Sequence, residues 1–231
     1  MTTGTRKSPS PPKVAVLDYG MGNLRSVAKA LAHVGAEPRV TSDPRDLGRC
    51  GGAVLPGVGA FPAAVRELRT RKLLAPLLDA ARQGLPMLGI CLGMQLLFER
   101  SEEQGGADGL GLIEGEVTAL ASRGLKVPHI GWNFVERRRD SWLLAGLGER
   151  TAFYHVHSFA ARPRHDQDVV GVARYGEEFV SAVERGTLAG VQFHPEKSGP
   201  AGLRVLENFV ALCARRTPSG DRQPLVARHG Q

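Results

Sequence analysis

The sequence predicts an α/β fold, a central, mostly parallel sheet flanked by helices, with additional antiparallel strands in the C-terminal half. Three observations carry this prediction. Short apolar runs recur in the first half, VAVLD at 14–18, AVLP at 53–56 and PMLGIC at 86–91, as expected of strands buried on both faces. Each is followed by glycines or a helical pattern, so strand and helix alternate as they do in parallel sheets covered by helices. From about residue 115 the segments become short, β-rich and separated by turn residues.

Taken in order, Val14–Asp18 is the first strand. Gly20, Gly22 and Asn23 then lead into a helix with Leu24, Val27, Ala28 and Leu31 on one side, stopped at Gly35. Ala53–Pro56 is a strand that enters a glycine loop, with a helix from Phe61 onward. Pro86–Cys91 is the third buried strand, and LGMQLLFER reads as the helix after it. GEVTAL, HIGWNFVE, TAFYHVHSFA, VVGVARYG, FVSAVERG and AGVQFHP each read as a strand. A last helix, about 201–215, places Leu203, Leu206, Val210 and Cys213 on one face. Residues 1–12, rich in Ser, Thr and Pro, are expected to form a disordered tail and 217–231 a flexible one, leaving a single domain over 13–216.

Composition narrows the function. The 231 residues suit one large domain, and 42% hydrophobic content is that of a globular chain. No apolar run approaches the roughly 20 residues of a membrane span, and MTTGTRKSPSPPK lacks the apolar core of a signal peptide. Cys50, Cys91 and Cys213 have no C-x-x-C spacing. That argues against a disulfide framework or a metal site and fits a reducing cytoplasm. The net charge of +7 is scattered, and its one dense run, Arg137-Arg138-Arg139, is followed by Asp140. A solvated arginine-rich surface is therefore the reading, without a nucleic-acid partner. Neither a G-x-x-x-x-G-K-[ST] nor a G-x-G-x-x-G motif occurs, so no cofactor is expected.

The chemistry centres on Gly89-Ile90-Cys91-Leu92-Gly93. A nucleophile on a sharp strand-to-helix turn needs small residues two before and two after it, where larger side chains would clash. The turn also sets Cys91 near a helix N-terminus, which favours a thiolate. A structural cysteine beside packing glycines is the alternative. A thiolate nucleophile needs a base, and the base an orienting group. His194-Pro195-Glu196 offers both: in an extended segment, residues two apart point to one side. For a developing oxyanion, Gly57, Val58 and Gly59 after the strand ending at Leu55 offer backbone N–H groups, and Leu92 N–H a further one. Gln95, one helical turn beyond Cys91, faces the same side by spacing.

P-G-V-G, G-I-C-L-G-M-Q and Q-F-H-P-E in this order resemble the class I, triad-type glutamine amidotransferases. D-Y-G-M-G-N-L at 18–24, K-V-P-H-I-G-W-N at 126–133 and H-P-E-K-S-G at 194–199 are similar to the glutaminase subunits of imidazole glycerol phosphate synthase, a likeness covering about residues 13–215. The resemblance implies glutamine hydrolysis by Cys91, His194 and Glu196, with ammonia passed to a (β/α)8-barrel cyclase partner in histidine biosynthesis. It also implies that Gln95 and His157-Ser158-Phe159 hold glutamine. Trp132, Tyr154 and Lys197 would lie near the subunit interface and ammonia passage, and Asn23 toward the partner. Trp132 as plain core and Lys197 as a solvated charge stay open. His155 departs from the apolar aromatic usual before Val-His-Ser. A glutaminase serving another synthase, a non-catalytic scaffold and a cysteine peptidase are the competing readings.

Overall fold

The computed structural model describes residues 10–121 and 123–216. Five strands form the central parallel array: β1 (Lys13–Leu17), β2 (Glu37–Thr41), β3 (Gly52–Gly57), β4 (Met87–Cys91) and β13 (Leu188–Val191). They lie in the order β2-β1-β3-β4-β13, every neighbouring pair parallel. Beyond β13 the sheet continues through β12 (Glu177–Arg185), β10 (Phe159–Pro163), β7 (Ile113–Ala119), β5 (Phe98–Ser101) and β6 (Ala107–Asp108), mostly antiparallel. β12 also pairs with β11 (Val169–Tyr175), which leads to β8 (His129–Arg137) and β9 (Arg150–His157). The foreseen division into a parallel N-terminal half and antiparallel C-terminal additions describes this sheet.

Alternation along β1 explains why its run is apolar throughout. Val14 and Val16 enter one core with Val27 and Leu31 of α1 (Leu24–His33) and Val205, Leu206 and Phe209 of α5 (Gly199–Ala214). Ala15 and Leu17 enter the other, with Phe61, Val65 and Leu68 of α2 (Phe61–Thr70) and Leu77 of α3 (Leu74–Arg82). A strand covered by helices on both faces has no polar side, so neither of its residue sets is free to be hydrophilic.

Several elements differ from the sequence expectation. LGMQLLFER is not one helix: α4 spans only Leu92–Gln95, and Phe98–Ser101 is a strand. Every residue from Leu92 to Phe98 is buried, so the apolar run carries no helical period to read. TAFYHVHSFA breaks at Ser158 into β9 and β10, which pair with different neighbours. β2 and α3 were not foreseen. Of the expected N-terminal tail, residues 10–12 are described, and Pro12 O accepts a hydrogen bond from Glu37 N. The 217–231 tail lies outside the described residues. No helix among the described residues is long and apolar enough to cross a membrane.

Candidate active site

β4 ends at Cys91, which takes the unusual backbone angles φ 56° and ψ −113° before α4 begins. A non-glycine residue rarely adopts positive φ, and such strain persists only where packing enforces it. Here the enforcing contact is Gly93 on the backbone of β3: a Cβ at Gly93 would lie 1.7 Å from Leu55 O. One at Gly89 would lie 2.5 Å from Gly93 O. Both flanking positions must therefore be glycine for the chain to reverse. The shortness of α4 corrects the expected source of polarisation at Cys91. One turn has little macrodipole, so local N–H groups are what the elbow offers.

A cavity of about 280 Å³ opens at the elbow, lined by Cys91, Leu92 and Gln95 on one side and His157, Ser158 and Phe159 on another. Val58 and Gly59 form part of its rim, and His194 and Lys197 reach it from the C-terminal half. Gly57 is buried within β3 and does not line it. Its missing side chain leaves room for Tyr19, whose Oη would be 2.6 Å from a Cβ at Gly57 and donates to Pro56 O at 2.7 Å. Burial, reinforced by the nearby Cys91 sulfur, pushes the Tyr19 phenol well above its ordinary range. It therefore remains a hydrogen-bond donor, tying the start of the 56–59 loop to the end of β1.

His194 and Glu196 meet, though not by the extended-chain geometry expected. Pro195–Lys197 forms a 3-10 turn, and within it Glu196 Oε1 accepts from His194 Nδ1 at 3.0 Å. The Glu196 side chain is 1% exposed, and its Oε2 has no partner among the described residues, so the carboxylate's interaction is concentrated on the imidazole. His194 is pinned from behind, its N–H donating to Tyr154 O at 2.9 Å and its carbonyl accepting from Ser198 Oγ at 2.7 Å. Burial alone would lower the His194 pKa. The nearby Cys91 sulfur and the hydrogen-bonded Glu196 carboxylate outweigh it and raise the value to about 9. The pair is thus biased toward an imidazolium beside the sulfur, the state a thiolate would need.

Gln95 turns its amide along the cavity wall. Nε2 donates to Phe159 O at 3.1 Å and to Gln192 Oε1 at 3.0 Å. Gln192, fully buried, in turn aims Nε2 at Cys91 Sγ, 3.7 Å away. The sequence reading missed Gln192. A glutamine in the otherwise apolar AGVQF run was the available signal, since a buried amide needs polar partners. Glu103, also unforeseen, lines the cavity and accepts from Phe61 N at 2.8 Å.

Of the remaining residues, Lys197 reaches the cavity and Asn23, Trp132, Tyr154 and His155 do not line it. Asn23 precedes α1, its carbonyl accepting from Val27 N. Trp132 is 60% exposed, which answers whether it is core, and faces Tyr154 across the β8–β9 ladder. Lys197 Nζ lies 5.9 Å from the Tyr154 ring centroid, in cation–π range, so it joins the cavity to this outer surface. His155 is fully buried and satisfied by Phe153 O at 3.1 Å and Ser181 Oγ at 2.8 Å, which accounts for a histidine where an apolar ring was expected. The described residues contain no group of three or more side chains suited to a metal ion.

A family model described as glutamine amidotransferase class-I matches residues 15–213. A Moorella thermoacetica protein named imidazole glycerol phosphate synthase subunit HisH is 50% identical over 199 residues, covering 86% of this chain and 94% of that one. A Salinibacter ruber protein of the same name is 46% identical over 203 residues, covering 85% and 93%. Among solved structures, PurLQS from Thermotoga maritima matches with a TM-score of 0.69 at 22% identity, covering 87% of this chain and 98% of that one, a likeness of fold. With a family model spanning almost all of the described residues and relatives near half identity over most of its length, the chain belongs to the glutamine amidotransferase class-I family.

Proposed function

We propose that this chain hydrolyses glutamine to glutamate and ammonia and delivers the ammonia to a cyclase subunit, as the glutaminase half of an imidazole glycerol phosphate synthase in histidine biosynthesis. The observation that carries the chemistry is the strained Cys91 elbow facing the His194–Glu196 pair across one cavity. Cys91 attacks the carboxamide carbon, and the tetrahedral oxyanion is held by N–H groups from Leu92 and the Val58–Gly59 segment at the cavity rim. His194 protonates the departing ammonia, leaving a γ-glutamyl thioester. His194 then takes a proton from water, whose attack releases glutamate and returns the thiol. Glu196 holds the imidazole in the tautomer and charge this cycle requires. Gln95 and the 157–159 segment hold the substrate.

Identity near 50% to subunits named for imidazole glycerol phosphate synthase supports the choice of pathway. Ile130, Trp132 and Phe134, all exposed along the outer face of β8, support a partner. Three large apolar side chains in one exposed row form the kind of patch that marks a protein interface. Val58, 44% exposed at the cavity rim, belongs to the loop we assign the activating rearrangement: its peptide turns into the oxyanion position when the liganded cyclase docks. Glutamate release should accordingly be weak for the isolated chain and rise on the order of 100-fold or more with the nucleotide-bound cyclase, the worth of one oxyanion donor. Full turnover without the partner would refute the partner-gated loop, and indifference to this cyclase would move the chain to another synthase.

The pH profile tests the imidazole's role. With its pKa near 9, His194 keeps the proton it must give to ammonia at neutral pH and loses it as the pH rises through 9. The alkaline limb of kcat/KM should therefore fall near pH 9. In Glu196→Gln one of the groups holding that proton is gone, so the limb should move to lower pH as the rate declines. An alkaline limb that stays in place in Glu196→Gln would show that the carboxylate does not set the charge of His194.

A further inference from the structure

Beneath the cavity wall lies a cluster of three histidines that the proposed chemistry does not use for proton transfer. His129 on β8 and His155 and His157 on β9 are all buried. The His129 ring stacks on Tyr175 at 4.1 Å between centroids, and His157 packs against Phe179 at 4.8 Å. Burial lowers the pKa of all three, that of His157 to about 4, with His129 and His194 adding to the effect there. The cluster is neutral around pH 7.

Neutral imidazoles have one donor and one acceptor each, so the partners determine every tautomer. His157 Nδ1 lies 2.9 Å from Phe159 O, a pure acceptor, and must carry its proton there. Its Nε2 is therefore bare and needs a donor. The atom 3.0 Å away is His129 Nδ1, which must be protonated in turn. His129 Nε2 is then an acceptor, facing Asn133 Nδ2 at 3.4 Å. Asn133 Nδ2 also donates to Arg174 O at 3.0 Å. On the far side, Phe159 O receives a second hydrogen bond from Gln95 Nε2, whose other acceptor is Gln192 Oε1. Donors thus run in one direction from Asn133 on β8 through two imidazoles to Phe159 O, where they meet the opposing donor Gln95, the side chain that lines the cavity beside Cys91.

We propose that His129 is a positioning residue for glutamine: its Nδ1–H fixes the tautomer and pose of His157, and through the Phe159 carbonyl the place of the Gln95 amide. This rests on the glutaminase reading above. His129 touches no reacting atom and belongs to the strand whose other face carries Ile130, Trp132 and Phe134. Its effect therefore falls on substrate binding rather than on the chemical step.

His129→Asn and His129→Leu separate this role from simple packing. The two side chains have nearly the same shape, and the Asn amide can present N–H about where Nδ1–H was, whereas Leu cannot. In the complex with nucleotide-bound cyclase, His129→Leu should raise the glutamine KM about tenfold, the worth of one well-placed hydrogen bond, with kcat changed less than about twofold. His129→Asn should retain a KM within about twofold of the parent. Equal KM values in the two variants, raised or not, would overturn the proposal, as would a loss confined to kcat. Should the Leu variant not fold, 15N shifts of His157 in the unaltered protein decide the matter: an Nδ1-protonated tautomer supports the chain of donors and an Nε2-protonated one breaks it. A parent complex without glutaminase activity would instead fail the functional reading itself, leaving the tautomer measurement to stand alone.

Discussion

Cys91→Ala should abolish glutamine-dependent product formation while leaving synthesis from added ammonium salts intact. The thiol is the only atom at the elbow able to form the thioester, and removing a nucleophile costs on the order of 10⁴- to 10⁶-fold because the groups around it act as a unit. The substitution removes one sulfur from a 7% exposed site and keeps a Cβ, so Gly89, Gly93 and the turn they allow are unaffected. The Leu92 N–H, the His194–Glu196 pair and the outer face of β8 also remain, so the complex should assemble as before. Two assays on one preparation settle it: glutamate release from glutamine, and cyclase product with ammonium chloride in place of glutamine. Residual glutaminase at even a hundredth of the parent rate would remove Cys91 from the chemistry. Loss of the ammonia-dependent reaction in a folded complex would contradict the division of labour between two subunits.

Much of this site could be read from the sequence because its residues act through local geometry. G-x-C-x-G encodes the elbow in five positions, and the clashes a Cβ at Gly89 or Gly93 would meet are with backbone within one strand–turn–helix unit and its neighbour β3. β1, β3 and β4 were legible because a strand covered on both faces admits only apolar residues. β2 was not: four of its five residues are exposed or half-buried, so the edge strand reads as a polar linker. The helix after Cys91 was overread for the opposite reason. Its surroundings bury every side, and the chain leaves helical geometry where Leu110 N and Gly111 N capture Leu96 O and Phe98 O, contacts made by residues 14 and 13 positions on. Gln192 and the histidine cluster are tertiary in the same sense. His129 and His157 are separated by 28 positions and Gln95 and Gln192 by 97, and only the β8–β9 pairing and the placement of β13 beside β4 bring them together.

Gly93→Ala should prove more damaging than loss of any single charged group, although it adds one methyl to a residue with no chemistry of its own. The added carbon would lie 1.7 Å from Leu55 O and 2.8 Å from Leu55 C. Overpacking a core usually costs about 1–3 kcal/mol because side chains give way. Here the obstruction is the backbone of β3, itself paired with β1 and β4, so relief requires α4 to move off the sheet. That displacement would take Leu92 N–H and Gln95 from the cavity and release the packing that holds Cys91 at φ 56°. The expected result is a loss on the order of 4 kcal/mol or more, a large part of the roughly 5–15 kcal/mol that holds a typical domain together. Denaturant unfolding should show a much lower midpoint, and the fraction that remains folded should have almost no glutaminase activity. Gly48→Ala provides the control, since a Cβ there meets nothing within 4 Å, and it should leave both readouts unchanged. If Gly93→Ala unfolded at the parent midpoint with parent activity, the close approach of α4 to β3 would be relieved at no cost, and the elbow could not owe its strained conformation to that contact.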